Sequence, residues 1–572
     1  MGSSFMGLYV QREALINAQK ALDITGNNIS NVNTEGYSRQ RVDVCSVANK
    51  GHNLLYNTSV SMAGQGVDTI GVAQIRDKLL DEKVRRYTTS AENYHVKDEV
   101  MSDVETALDN IEAEDTGLAT NLSKLKSALQ SFTADNADRD EIANVAMQSM
   151  RSVAEQIRYL DNRLTEISDR VLNDANSTVT SVNTLLKNMG DLNEEITTSY
   201  IQMGYISAST GNYKVQEEYG PLELKDQMNV YLDKLSEYGD VSYETQNDGS
   251  FTVYFAGQVV VHREKYAQMA MTELNPKPFD MGFALTVAGD YDSATNTYSN
   301  LKDSDEWYDI RVANGDSVEN YVRDLVNADA GAGAGATKQT VDISGTDLLR
   351  GGTLRAYLDT YNGDGIYAED GGNTYQGIEY YRDMLNSFVK TVTDEFNGIF
   401  SDFGVQILTY ADSAGVNDFH TAAKNFKLTE TWINDPSIIA HPEDPDNALE
   451  ELDNKWVHKM LAAFSDFHKY GYTDTAGKDH YDPNELGFEQ FIAHISDNLG
   501  TQVEGNNKLM DTTDVMLDSV KDARDEVMAV SLNEEGINML NYQKWYNAIA
   551  RVVTTLDEAL DKVINGMGRV GL

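Results

Sequence analysis

The stretch ALDITGNNISNVNTEGYSRQ, residues 21–40, decides how the start of this chain folds. An apolar helical pattern runs into it from upstream, and four asparagines then follow within seven residues: Asn27, Asn28, Asn31 and Asn33. Asparagine is a poor interior helix former that favours caps and turns, and a glycine such as Gly36 can adopt the left-handed conformation. The pattern therefore predicts a helix that ends here and a chain that then turns outward.

Two narrow apolar stripes with helical spacing occur at opposite ends of the chain. The first stripe comprises Leu8, Leu15, Ala18, Leu22, Ile29 and Val32. The second comprises Tyr542, Tyr546, Ile549, Val553, Leu556, Leu560, Val563 and Met567. The spacing fits two helices that pair with each other, and it fits equally well two helices that each pack on a local globular core.

The longest periodic segment covers residues 153–196. Its apolar and small side chains fall in one 3.5-residue frame: Val153, Ile157, Leu160, Leu164, Ile167, Val171, Ala175, Thr178, Val182, Leu185, Met189, Leu192 and Ile196. A continuous helix over this range would be roughly 66 Å long. The preceding residues 75–132 have weaker spacing of the same kind, so the sequence predicts an antiparallel helical bundle.

The middle of the chain has a different pattern. Residues 241–264 carry β-branched and aromatic residues on both sides of Asn247-Asp248-Gly249, a strong local signal for a hairpin. We expect a β-rich insertion that ends at the glycine and alanine run 330–337. Helical pattern then resumes at residues 345–362 and 380–400, and a region from about 405 to 484 resembles a second insertion.

These patterns predict a multidomain α+β protein, in which a long α-helical bundle with coiled-coil-like terminal helices is built from both chain ends and carries inserted β-rich outer domains. We expect four units. They are a terminal-helix inner assembly domain (1–70 with 520–572), a helical rod-like domain (71–240 with 346–404 and 485–519), an inserted β-rich domain (241–345) and a second insertion of irregular or mixed structure (405–484).

Charge and composition exclude several classes of protein. The 572 residues include 46 basic and 91 acidic side chains, and the formal net charge of −45 disfavours nucleic acid and anionic membranes as partners. The apolar runs are too short for a membrane span. Cys45 is the single cysteine, so an intrachain disulfide is impossible, and its role is left open. The start lacks the features of a cleaved signal peptide, which fits a cytoplasmic protein or one exported without signal cleavage.

The sequence carries no complete motif for catalysis, a cofactor or a metal. The glycine run 330–337 precedes a strand-like segment and lacks the Gly-Lys-Ser/Thr of a phosphate loop. Asn362, Asp364 and Gly365 resemble part of a calcium loop, but Thr360 and Gly371 occupy the positions of its essential carboxylates. We therefore expect no enzymatic activity, no cofactor and no metal site, and a protein that works by shape and association.

The opening stretch closely resembles a signature of the axial proteins of the bacterial flagellum. Within that group, the ending Gly36-Tyr37-Ser38-Arg39-Gln40 resembles the hook-associated protein 1 family. The end of the chain, residues 530–572, is similar to the terminal helix of the same family. Residues 222–261 and 350–363 resemble two internal segments of the family, although Lys225 to Asn229 depart from its usual pattern.

This resemblance implies a non-enzymatic structural protein of the junction between hook and filament, whose terminal helices form an inner tube by self-assembly. The implied partners are further copies of the chain, the hook protein, a second hook-filament junction protein and an export chaperone that binds the C-terminal helix. The implied location is the extracellular flagellum, reached through the flagellar export channel. The expected assembly residues are Leu15, Leu22, Ile29, Ile549, Val553, Leu556 and Leu560, with Asn28, Asn31, Gly36 and Tyr37 shaping the turn.

Other interpretations stay open at this point. A hook or distal-rod protein would share the opening signature but more often lacks the Tyr-Ser-Arg-Gln ending. An axial protein could also carry an enzymatic insertion in its middle domain. A cytoplasmic coiled-coil scaffold would require that the two terminal helices be ordered within one free chain, whereas an axial protein is expected to order them on assembly.

Overall fold

The computed structural model describes most of the chain. The described residues are 4–46, 66–111, 117–132, 139–202, 219–273, 281–286, 290–292, 297–299, 340–345, 348–368, 373–440, 455–474 and 477–566. The alanine and glycine run 330–337 and Met567 lie outside them.

Long helices dominate the architecture. They are α1 (Ser4–Ser30), α2 (Lys78–Leu108), α3 (Leu118–Phe132), α4 (Arg139–Gln202), α5 (Leu222–Tyr238), α6 (Gly352–Asn362), α7 (Ile378–Ile399), α8 (Ala422–Asn425), α9 (Glu430–Asn434), α10 (Lys455–Ser465), α11 (Phe488–Met528) and α12 (Leu532–Asp561). Short 3₁₀ turns connect several of them, and a π-helical turn, Lys562–Gly566, follows α12.

The strands form small antiparallel sheets. They are β1 (Gln40–Ser46), β2 (Val67–Gln74), β3 (Val241–Thr245), β4 (Phe251–Phe255), β5 (Gln258–His262), β6 (Lys265–Tyr266), β7 (Gln268–Glu273), β8 (Met281–Thr286), β9 (Asp290–Asp292), β10 (Thr297–Ser299), β11 (Thr340–Asp342), β12 (Leu408–Thr409), β13 (Lys427–Leu428), β14 (Gly471–Thr473) and β15 (Asp479–Tyr481). The strand orders are β1-β2, β3-β4-β5-β6, β11-β8-β7, β9-β10, β12-β13 and β14-β15.

The predicted hairpin is confirmed. Strands β3 and β4 pair antiparallel around residues 246–250, with Thr245 opposite Phe251. Gly249 takes a φ of 85° in the turn, a value that favours glycine. An added Cβ there would lie 2.2 Å from the Tyr200 ring, so the close packing of this turn against α4 leaves no space for a side chain.

Helix α4 is longer than predicted and forms the spine of the molecule. Its 64 residues correspond to roughly 96 Å, and it packs against α3, α5, α6 and α7. The predicted stripe is buried from Val153 to Ala175 and again at Val182, Met189, Leu192 and Ile196. At two positions between them the neighbouring residue is buried instead: Val179 and Leu186 are buried, while Thr178 and Leu185 are half-buried. A straight helix has 3.6 residues per turn and drifts by about 20° per heptad, so the predicted positions Thr178 and Leu185 are each wrong by one residue.

One continuous apolar core extends from α2 to the first half of α11. It includes buried residues of β4 and β5 as well as Trp432 and Phe464 from the region predicted as a second insertion. That region has mixed structure, with short strands and short helices packed on α4 and α7. The second half of α11 lies against α2, where Val84, Ala91 and Leu517 form a separate small cluster.

Candidate assembly site

The two ends of the chain meet in an antiparallel helix pair. Helix α1 packs against α12 and against the two-stranded ribbon β1-β2. At one end of the pair, Gly7 lies against the side chain of Leu556. At the other end, the amide of Asn28 donates a 3.2 Å hydrogen bond to Glu535 Oε2. These two contacts fix the helices in opposite directions.

The most buried face of α1 is made of small and polar residues: Asn17, Ala18, Ala21, Thr25 and Asn28. Small side chains allow the two helix backbones to come close, because they leave little volume between them. Ala18 of the predicted stripe belongs to this face, whereas the larger members of the stripe lie to one side of it. Leu15, Leu22 and Ile29 are half-buried, and parts of their surfaces remain open to solvent.

On α12 the predicted stripe has low exposure relative to its neighbours. Ile549 is buried, and Tyr542, Tyr546, Val553, Leu556 and Leu560 are half-buried among exposed residues. Val563, which the sequence pattern includes in the stripe, is 51% exposed. It lies in the π-helical turn, where the wider winding breaks the helical period.

Other apolar side chains of α12 are exposed. Ile537 is 60% exposed, Leu540 57% and Val552 43%, and Trp545 is also on the surface. We call these four residues the outer face of α12. Large exposed apolar patches are rare in monomers and are a feature of surfaces that contact other molecules.

The ribbon β1-β2 covers a further side of α1. Asn17 donates a 3.0 Å hydrogen bond to the carbonyl of Val67 and accepts one from the hydroxyl of Thr69. Near the start of β2, Gly66 approaches the side chain of Val10. The ribbon therefore contacts the N-terminal half of α1, and the α1 side chains Val10 and Asn17 make these contacts.

Asn28 forms the centre of the turn that follows α1. Its amide nitrogen donates to the carbonyl of Gln40 at 2.9 Å and to Glu535. Its amide oxygen accepts from the backbone N–H of Gln40 at 3.0 Å and from the hydroxyl of Tyr37 at 2.8 Å. Asn28 is buried and uses its full hydrogen-bonding capacity, two donors and two acceptors.

The other predicted turn residues have distinct places. Asn31 donates to the carbonyl and side-chain oxygens of Asn27 and so closes the last turn of the helix. Gly36 takes a φ of 75°, and a Cβ added to it would lie 2.1 Å from Val230 Cγ2 on α5. The turn therefore requires glycine both for its backbone conformation and for its contact with α5.

The two residues after Tyr37 connect the turn to distant helices. The hydroxyl of Ser38 donates a 2.7 Å hydrogen bond to Asp226 Oδ1, and its backbone N–H donates to Oδ2 at 3.1 Å. Arg39 forms ion pairs with Glu534 at 2.7 Å and with Glu535 at 2.9 Å. We call Asn28, Tyr37, Ser38, Arg39 and Gln40, with Asp226 and Glu535, the turn network.

Burial changes the acid–base behaviour of two members of this network. Burial raises the pKa of Asp226 to about 6, and the charge of Glu223 adds to the rise, although the hydrogen bonds from Ser38 and the charge of Arg76 oppose it. Burial also raises the pKa of Tyr37, with a contribution from Asp226. The phenol of Tyr37 therefore stays neutral and acts as a donor to Asn28.

Sequence reasoning missed Ser38, Arg39 and Gln40 as contact residues, and it missed Asp226 and Glu535 altogether. The signal available for Ser38 to Gln40 was their place in the quoted stretch. Asp226 lies in the segment that departs from the family pattern, and Glu535 belongs to a pair of acids that composition alone explains. In the folded chain, Glu535 is buried and bound by Arg39 and Asn28.

Within the described residues, no group of three or more His, Cys, Asp or Glu side chains is arranged to hold a metal ion. In the same part of the chain, none of the helices combines the length and the hydropathy needed to cross a membrane.

Comparisons with known proteins give a consistent result. Residues 101–304 match the family model described as the flagellar hook-associated protein FlgK helical domain. Residues 8–37, which include most of the opening stretch, match the model of the flagella basal body rod protein. Neither description indicates an enzyme.

Individual relatives agree along nearly the whole chain. Flagellar hook-associated protein 1 of Bacillus subtilis is 27% identical over 99% of this chain and 99% of its own length. Its counterpart in Escherichia coli is 22% identical over 96% of this chain and 97% of its own length. The solved structure of the flagellar hook junction protein FlgK from Burkholderia pseudomallei is 16% identical, with a TM-score of 0.39 over 56% of this chain and 43% of that one.

The match of the helical domain and the relatives that align with nearly the whole chain show that this protein is similar to flagellar hook-associated protein 1.

Proposed function

We propose that the chain is a structural subunit of the bacterial flagellum that joins hook to filament and assembles with further copies through its terminal helices. The observation that carries the proposal is the outer face of α12, where Ile537, Leu540, Trp545 and Val552 are exposed in the single chain. Burying an apolar side chain of this size contributes about 1.5–3 kcal/mol, so covering the face with another copy would stabilise an assembly strongly.

The predicted contact residues divide between two roles in this proposal. The pairing of α12 with α1 uses Ile549, Val553, Leu556 and Leu560. The contact between Gly7 and Leu556 supports this pairing. Leu15, Leu22 and Ile29 keep exposed surface and serve contacts between copies. Asn28, Asn31, Gly36 and Tyr37 set the direction in which the chain leaves the helix pair.

A division into domains follows from the same contacts. We propose that residues 1–70 and 520–572 form an inner assembly unit, because α1 packs both on α12 and on the ribbon. Residues 71–240, 346–404 and 485–519 form the helical unit. The segments 241–345 and 405–484 are insertions on its outside, with the first one β-rich.

The proposed partners follow from the similarity to flagellar hook-associated protein 1. They are further copies of the chain, the hook protein on one side and a second hook-filament junction protein on the other. A dedicated export chaperone binds the C-terminal helix. The exposed apolar face of that helix is a surface that needs cover before assembly. The protein reaches the extracellular flagellum through the export channel, and it works without enzymatic activity, cofactor or metal.

A hook or distal-rod protein is the second candidate. The match of residues 8–37 to the basal body rod protein model favours it. That match covers the opening signature only, whereas residues 101–304 match the helical domain of the hook-associated protein. The larger match supports the junction role.

The test is a pair of substitutions in the native bacterium. Val552→Ser removes an exposed apolar contact from the outer face of α12, and Val145→Ser makes the same change at a residue of α4 with similar exposure. The proposal predicts that Val552→Ser leaves hooks without filaments and releases filament protein into the medium, while Val145→Ser leaves filaments attached. Equal filament attachment in the two strains would refute the role of this face.

A further inference from the structure

A cleft of about 410 Å³ opens where the ribbon, the start of α2, helix α5 and the β3-β4 hairpin meet. Volumes of roughly 300–1,000 Å³ are typical of sites that bind small molecules or short peptide segments. The cleft adjoins the turn network, because Arg76 in its wall donates a hydrogen bond to Ser38. It lies apart from the outer face of α12.

The charge of the cleft wall opposes that of the whole chain. Of the eleven described residues that line it, Arg41, Arg76, Lys78 and Lys225 are basic and none is acidic. A wall of this size with the average composition of the chain would carry about one basic and about two acidic residues. The concentration of positive charge is therefore a local property of the fold.

Internal contacts hold two of these cations in place. Arg76 is fixed by ion pairs with Asp81 at 2.6 Å and with Asp226 at 3.5 Å, and neither acid belongs to the cleft wall. Lys225 donates to the carbonyl of Tyr219 at 3.1 Å, and its ammonium lies 5.4 Å from the centre of the Tyr200 ring. Arg76 donates two hydrogen bonds to Asp81 and one to Ser38, and a guanidinium has five N–H donors, a geometry that suits carboxylates.

The other two cations are exposed at the edge of the cleft. Arg41 is 60% exposed and pairs with Asp43, and Lys78 is exposed in the first turn of α2. Such charges increase the rate at which an acidic partner associates and orient it on approach.

The rest of the wall suits the stem of an acidic side chain. The rings of Tyr243 and Phe251 lie 5.4 Å apart and provide an apolar surface. Asn229 and Thr245 add polar groups beside it. A side chain that has methylene groups and a terminal carboxylate fits this cleft. Its methylene groups pack on the aromatic wall, and its carboxylate binds the cations at the base and edge.

We propose that this cleft receives acidic side chains from a second copy of the chain. The inference rests on the proposed self-assembly, and charge supports this choice of occupant. Each copy carries a formal net charge of −45, so contacts between copies need places where cations face acids. The acidic surface of a neighbouring copy supplies the carboxylates, and the cleft supplies their counterions.

The first experiment measures binding of a labelled hexaglutamate peptide to the full-length chain by fluorescence anisotropy at low salt. The double variant Arg41→Glu with Lys78→Glu reverses both exposed charges of the cleft. Its matched control, Arg151→Glu with Lys187→Glu, makes the same charge change on exposed residues of α4. We expect the cleft variant to weaken peptide binding at least tenfold and the control to weaken it less than twofold.

The second experiment measures self-association of the same proteins by sedimentation velocity. We expect the cleft variant to require at least a tenfold higher concentration to associate, and the control to behave like the original chain. Lack of peptide binding, or an equal loss in the control, would overturn the inference. The inference would also be overturned if inorganic phosphate fills the cleft and the charge-reversal variant of the cleft associates normally. The cleft would then be a small-anion site.

Comparison with Val552→Ser separates this inference from the proposed function. A cleft variant that associates normally, while Val552→Ser does not, overturns the cleft proposal and leaves the assembly role of α12 standing. Normal association of both variants contradicts both proposals.

Discussion

Replacing Asn28 by alanine tests the turn network most sharply. The side chain of Asn28 makes four hydrogen bonds, of which two are with the backbone of Gln40 and one each with Tyr37 and Glu535. Asn28→Ala leaves the N–H of Gln40 and the hydroxyl of Tyr37 without the acceptor that they have in the folded chain. A buried donor without an acceptor costs about 1–3 kcal/mol, so the two together destabilise the turn by about 2–6 kcal/mol.

The loss is local, so the assay must be local. Amide hydrogen exchange followed by mass spectrometry reports the opening free energy of each segment. Each 1.4 kcal/mol corresponds to a tenfold change, so the amides of residues 37–46 should exchange at least about 30-fold faster in Asn28→Ala. Asn33→Ala is the matched control, because Asn33 is exposed on the same turn. Its exchange should change less than twofold.

Two results would refute this reasoning. One is an acceleration of less than threefold in Asn28→Ala, which would mean that water or a rearranged backbone replaces the four bonds at little cost. The other is unprotected exchange of residues 37–46 in the original chain, which would mean that the turn network forms only on assembly, as is expected of the terminal helices of an axial protein.

Three further predictions concern stability. Gly36→Ala places a Cβ against Val230 at a φ of 75° and should cost about 2–4 kcal/mol in thermal unfolding, whereas Gly26→Ala, in open space on α1, should be neutral or stabilise by up to about 1 kcal/mol. Equal effects at the two glycines would show that the contact with α5 is not formed. In urea unfolding, Leu186→Ala should lower the free energy of unfolding by about 2–5 kcal/mol and Leu185→Ala by less than half as much, because only Leu186 is fully buried. The reverse order would show that the predicted 3.5-residue frame is correct at this position. Asp226 binds its proton more tightly in the folded chain, so its contribution to the unfolding free energy is complete below about pH 4 and is lost as the pH rises through about 6, a fall of about 3 kcal/mol. Asp226→Asn should remove this fall from the pH dependence of urea unfolding, and an unchanged pH profile would contradict the assignment.

Local patterns in the sequence were sufficient for local structure. The Asn247-Asp248-Gly249 turn predicts the β3-β4 hairpin because turn chemistry depends on adjacent residues. The existence of α4 also follows from its periodicity, and so does the burial of Val182, Met189, Leu192 and Ile196, but the predicted positions Thr178 and Leu185 are only half-buried. A strict heptad assumes supercoiling, and this helix instead keeps the ordinary 3.6-residue period against its neighbours.

The turn network could not be predicted because its contacts are remote in sequence. Ser38 and Asp226 are 188 residues apart, and Asn28 and Glu535 are 507 residues apart. Spacing placed Ala18 in the seam of α1, where it is buried, but it did not identify Asn17, Ala21 and Asn28, which are more buried than the leucines. Hydrophobic periodicity identifies apolar faces, but it does not show that a partner backbone comes closest where side chains are small.

In the proposed assembly, further copies of the chain cover the outer face of α12 in the flagellum. Val552→Cys in a Cys45→Ser background gives a chain with one thiol on that face, because Cys45 is the only natural cysteine. Its reaction with a maleimide, measured in the free chain and in isolated flagella, tests the claim directly, with Val145→Cys in the same background as the control. We expect the Val552→Cys thiol to react in the free chain and to be protected in flagella, while the control thiol reacts in both. Equal reactivity of Val552→Cys in the two states would show that no other copy covers this face.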